Sequence, residues 1–259
     1  LWMIILNNLF CATQDVAIDS LAVSALRKDG RATGNGLMFG GQYFGIALGG
    51  GGTIFVSGLW DLNAALIYVS ALMFINLVYV LVFIKDDDAS VPDKERVIGA
   101  FRHFIGTLGQ FIRNLYSGFV ESGSGPKFGL LFALLPVGAM ALAYALLGTL
   151  QVDYGLDETQ LSQLAVAVAI VSAAGCVLGG IIGNKLGVKR VVAAGYALPA
   201  LPTLYLAYQI SAVGLTNIPI QVFVAIMLSH SLLFGIAFAV RMAIFMGMTN
   251  PLVAATQFT

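Results

Sequence analysis

Residues 160–183 read QLSQLAVAVAIVSAAGCVLGGIIG, and residues 184–190 continue NKLGVKR. The first stretch carries no charged side chain, and the second holds three cations. At a rise of about 1.5 Å per residue, a helix over the first stretch is about 36 Å long, enough to cross a hydrocarbon core of about 30 Å. The cations then hold its end in the polar interface.

Six further stretches read the same way: residues 1–26, 34–59, 63–84, 128–150, 189–211 and 217–248. Each is continuously apolar, whereas the strands of a membrane barrel would alternate over about ten residues. With 59% hydrophobic and 10% charged residues and a mean hydropathy of +0.90, the 259-residue chain lies outside the range of soluble domains. The expected fold is an all-α, polytopic bundle of about seven membrane helices. Net charge is zero, which excludes an electrostatic footprint for nucleic acid. Cys11 and Cys176 match no zinc or disulfide spacing, so no metal or cofactor is expected.

Charge placement sets the orientation. Twelve of the 13 Lys and Arg residues lie in alternate connections, with Arg27, Lys28 and Arg31 after the first span, six between Lys85 and Lys127, and Lys185, Lys189 and Arg190 after the fifth. The other connections carry only acids: Asp61, then Asp153, Asp157 and Glu158. The positive-inside rule makes the basic connections cytoplasmic. Between the third and fourth spans, Val97, Phe101, Ile105, Leu108, Phe111, Ile112 and Leu115 recur at helical spacing. They describe an amphipathic helix lying on the leaflet, or a linker helix without lipid contact. The chain thus divides into residues 1–85 with three spans, a cytoplasmic linker over 86–127, and residues 128–259 with four.

Ionisable residues inside the spans are the candidate site. A carboxylate near the bilayer centre costs about 2.5–3.5 kcal/mol on insertion scales, so Asp15 and Asp19, one helical turn apart in the first span, call for a function. Arg241 is the single cation within a span. Gln14 neighbours the carboxylates, and Gln42 and Tyr43 are polar groups in the second span. His230 in the seventh is a candidate pH sensor near the outer mouth, or a packing histidine. Gly41, Gly45 and Gly49 form a small-residue ridge for close helix approach. Pro136, Pro199 and Pro202 are expected to kink their helices.

The run from Gly180 to Arg190, with Gly180, Asn184, Lys185, Gly187, Lys189 and Arg190 in order, resembles the cytoplasmic loop motif of the major facilitator superfamily. Asn184 stands where that motif has an acid, which weakens a charge-relay gate there. Cys11 to Asp19, then Gly30-Arg31-Ala32-Thr33-Gly34, together with Ala254-Ala255-Thr256-Gln257-Phe258, resembles the peptide and acetyl-CoA transporter branch, which includes muropeptide permeases of the AmpG type. The resemblance implies helices four to ten of a twelve-helix carrier, an internal part of a longer bacterial inner-membrane protein working as a monomer. It implies proton-coupled uptake of a bulky anionic solute such as an anhydromuropeptide, with acetyl-CoA or another solute as the alternative. Those permeases tend to carry an arginine where Tyr43 stands, and Gly41-Gln42 is closer to the acetyl-CoA side.

Aligning Ala32-Thr33 with Ala255-Thr256 carries Asp19 onto Met242, beside Arg241. Both charges then lie about 12–13 Å from the cytoplasmic ends of equivalent helices. Opposed charges at one depth predict a shared central cavity in which Asp15 or Asp19 takes up protons and Arg241 binds an anion, the alternative being a fixed structural pair. Desolvation drives a carboxylate toward its neutral form and a nearby Arg toward its charged form, which links protonation to substrate. A membrane peptidase is disfavoured, since both aspartates share one helix and no Gly-x-Gly-Asp element supplies a partner. No Gly-x-x-x-x-Gly-Lys-Ser/Thr loop supports an ATP-driven pump. A non-transporting receptor is the third class.

Overall fold

A computed structural model describes residues 2–27, 29–83, 109, 112–113, 116–118, 123–132, 134 and 138–248. Every regular element among them is helical. In chain order they are α1 (Trp2–Ala25), α2 (Arg31–Ile46), a π-helical segment (Ala47–Gly51), α3 (Gly52–Leu59), α4 (Leu62–Phe83), α5 (Ser124–Phe132), α6 (Gly138–Tyr154), α7 (Glu158–Leu186), α8 (Val188–Ala197), α9 (Ala200–Val213), a 3₁₀ turn (Leu215–Asn217) and α10 (Ile220–Met248). The amphipathic stretch from Val97 to Leu115, the Ala254 to Phe258 element and Pro136 lie mostly or wholly outside the described residues.

Four described stretches are long and apolar enough to cross a membrane: Leu62–Phe83, Thr159–Leu186, Val188–Val213 and Ile220–Met248. They coincide with the third, fifth, sixth and seventh spans read from the sequence. The first and second expected spans are also continuous helical runs, but Asn7, Asn8, Gln14, Asp15 and Asp19 dilute α1, and glycines dilute α2 and α3. The fourth is described in two pieces, α5 and α6. The sixth is broken where Pro199 stands at the start of α9, as its missing N–H requires.

Local chemistry sets the boundaries. Asp157 caps α7 in a reciprocal box: its carboxylate accepts from the Gln160 backbone N–H at 2.8 Å, and its own N–H donates to the Gln160 side chain at 3.1 Å. Asp61 accepts from the Ala64 backbone N–H at 2.7 Å at the start of α4. Gly187 ends α7 with φ +92°, a conformation that strongly favours glycine, and so makes the sharp turn into α8. The π-helical segment falls on the glycine run, and the Tyr68 hydroxyl donates to the Leu48 carbonyl there at 3.1 Å.

The centre of the bundle is α7, clasped by α2 on one side and α10 on the other. Both seams are made by glycines. A Cβ on Gly36 or Gly180 would meet backbone of the facing helix at 2.6–2.7 Å, and one on Gly175, Gly179 or Gly235 would meet backbone at 2.4–2.5 Å. Gly40 packs on Val177 and Ala173 of α7. The expected ridge of Gly41, Gly45 and Gly49 is therefore corrected: all three face open space, and the seam runs through Gly36 and Gly40. The i, i+4 spacing is the same, and the helix presents a different face. Large apolar residues on α1 and α4 point outward, as lipid-facing helices require.

Candidate translocation cavity

Helix ends sort the connections. Asn184, ending α7, donates to the Thr33 hydroxyl of α2 at 2.7 Å, so the turn bearing Arg27 and Arg31 and the turn bearing Lys185, Lys189 and Arg190 share one end of the bundle. Arg31 donates to the Met246 carbonyl in the last turn of α10 at 3.0 Å, where a cation suits the helix dipole. Asn35, wholly buried, donates to the Arg31 carbonyl at 2.8 Å. These bonds and the Gly36–Gly180 crossing join α2, α7 and α10 at the basic end.

Toward the opposite end the helices part around a cavity of about 260 Å³. Tyr43 and Ile46 of α2 face Gln151 of α6, Ser172 of α7, and His230, Ser231 and Phe234 of α10. By helical rise, Ser172 lies about 21 Å from either end of α7, and His230 about 15 Å from the start of α10. The chamber thus reaches from mid-depth toward the acidic turns. Among the described residues its lining contains no Asp, Glu, Lys or Arg.

An aromatic ladder floors it. His230 stacks on Phe234 at 6.2 Å, Phe234 on Phe238 at 5.9 Å, and Phe39 meets the Phe238 ring edge-on at 4.9 Å. Beyond this plug the Arg241 guanidinium lies over the Phe238 ring at 4.7 Å, with the Tyr196 hydroxyl beside it. Arg241 is only 4% exposed, and it is the buried charged residue among those described.

The structure therefore brings Tyr43 and His230 together, and holds Arg241 one aromatic layer below them. Asp15, Asp19 and Arg241 do not line this cavity, and α1 contributes nothing to its wall. Asp15 and Gln14 are exposed along α1, Asp19 is half-buried, and Gln42 is exposed one residue before the wall. Of the loop motif, Gly180 makes the close approach to α2 and Gly187 the sharp turn into α8. Asn184 bonds across to α2, and Lys185, Lys189 and Arg190 are exposed. Gln151, Ser172 and Ser231 went unread as site residues, although isolated polar side chains in apolar runs were the available signal.

An all-helical membrane bundle whose helices part around an internal chamber has the architecture of polytopic solute carriers. The chain belongs to the Major Facilitator Superfamily, whose sequence model matches residues 1–257. It is a membrane transporter of that superfamily. No solved structure matches the chain significantly.

Proposed function

We propose that the chain works by alternating access, with the chamber between Tyr43, Gln151, Ser172 and His230 as its solute site. One observation carries this reading: residues from both halves line a single cavity displaced toward the acidic turns, while α2 and α7 are in contact at the basic end through Gly36–Gly180 and Asn184–Thr33. The lobes are residues 1–85 and 128–259, joined by 86–127, in an inner membrane with the basic end cytoplasmic.

The solute is a bulky anion such as an anhydromuropeptide, with a CoA thioester as the second reading. Arg241 supports an anion, because a guanidinium buried within the span, about 10 Å from the basic end of α10 and beneath an aromatic plug, is a ready counter-charge once Phe39 and Phe238 separate. Asp15 and Asp19 are the proposed proton acceptors, on the strength of their depth in α1. Uptake of labelled anhydromuropeptide and acetyl-CoA into proteoliposomes, at two pH values, tests the assignment. Tyr43→Ala and Ser172→Leu should abolish uptake, Arg241→Gln should remove preference for the anion, and Asp15→Asn or Asp19→Asn should flatten the pH response. Normal pH-dependent uptake in all three charge variants refutes the coupling. Normal uptake in the chamber variants refutes the site.

A further inference from the structure

A second cavity, of about 560 Å³, opens on the outside of the bundle at its basic end, apart from the chamber. Phe128 and Leu131 of α5, Ala193 and Tyr196 of α8, and Ile244 and Met248 of α10 make an apolar trough, and Lys189 is its one charged wall residue among those described. Lys127, next to Phe128, is exposed, as are Lys185 and Arg190 on the turn that carries Lys189. Among the described residues no acid lines the trough.

The trough runs inward with a fixed polarity. Lys189 is in the first turn of α8, and Tyr196 lies seven residues deeper, about 10 Å by helical rise. That is the depth of the boundary between headgroups and acyl chains. A cation at the rim and a greasy slot below match an amphiphile with an anionic head. A soluble anion would leave the slot empty, and a second protein copy would bury the lysines without a partner.

We infer that this groove is a binding site for an anionic phospholipid of the leaflet at the basic end. The phosphate meets Lys189 and Lys127, and one acyl chain lies along Phe128, Ala193 and Ile244. Basic pockets between membrane helices recognise such headgroups, and each lysine near the surface favours an anionic lipid by about fivefold. The site needs only the membrane placement of the bundle and is independent of what the chamber carries.

The test is lipid retention by the purified full chain in detergent, read by native mass spectrometry after exposure to phosphatidylglycerol and phosphatidylcholine of identical chains. Wild type should retain phosphatidylglycerol preferentially. Lys189→Gln should lower the preference about fivefold, and the Lys127→Gln, Lys189→Gln double variant should bring it near parity. Ala193→Phe should reduce retention of both lipids, and a photoactivatable acyl chain on unaltered protein should cross-link to residues 189–196, which covers the case that Ala193→Phe does not fold. Equal retention of the two lipids by wild type overturns the inference. So do an unchanged preference in the lysine double variant, cross-links confined to other helices, or equal competition by soluble glycerol phosphate.

Discussion

Gly180→Ala should force the basic end open. A Cβ at this position meets the Ala32 carbonyl oxygen at 2.6 Å and the Gly36 Cα at 3.0 Å. Ordinary carbon–oxygen contact needs about 3.3 Å, so α2 and α7 must part by roughly 0.7 Å where they cross. Both obstructing atoms are backbone, and no side-chain rotation relieves the clash. Overpacking of this kind costs about 1–3 kcal/mol. The penalty falls only on conformations in which the two helices touch, so the closed-to-open ratio at the basic end should drop by roughly 5–150-fold. The Asn184–Thr33 bond stretches with the seam and adds to the shift. Spin labels at Arg27→Cys and Lys185→Cys, in a Cys11→Ser background that leaves the buried Cys176 in place, report the separation by pulsed electron resonance. The distribution should gain a longer component. Gly41→Ala is the control, since its Cβ meets nothing within 4 Å. A Gly180→Ala distribution identical to wild type, in protein of unchanged stability, refutes the account of how this end is sealed.

Thr33→Val and Asn184→Ala should show a coupling of about 0.6 kcal/mol in a double-mutant cycle read from denaturant unfolding, the average for interhelical hydrogen bonds in membranes, and additive effects would dismiss the bond as a latch. Asn184→Asp should keep most of the contact, because the Thr33 hydroxyl can donate to the new carboxylate. Asp157→Ala removes one half of the capping box and should destabilise the chain by about 1 kcal/mol, measured by the same unfolding, with uptake rates preserved. Phe39→Ala thins the plug above Arg241, and an arginine-modifying dicarbonyl added from the acidic-turn side should then react at Arg241 at least several times faster than in wild type. Equal reactivity would show that Phe39 is not the barrier.

The helices and their alternation were legible in the chain because a bilayer imposes a one-dimensional rule. Any crossing needs about 20 apolar residues with its backbone bonded internally, and cations collect on one side. Residues 160–190 satisfy that rule locally, and the Asn184–Thr33 contact puts two basic turns at the same end, as the alternation requires. Gly187 and Asp157 act on the same local scale, each shaping the backbone within a few residues of itself.

Which face each helix presents was decided only by packing. Gly41, Gly45 and Gly49 have the same spacing as Gly36 and Gly40, and a polar residue accompanies each set, Gln42 beside Gly41 and Asn35 beside Gly36, so spacing alone does not separate the seam from the open face. The facing glycines of α7 make that choice, since only Gly36 and Gly40 meet backbone or small side chains there. The site followed suit. Counting along the helix puts Arg241 about 10 Å from the basic end of α10. The rotation of α10 then set Phe238 between it and the chamber, leaving His230, Ser172 and Gln151 as the wall. Hydropathy fixes how deep a residue lies, but the direction its side chain takes depends on the surface of the neighbouring helix.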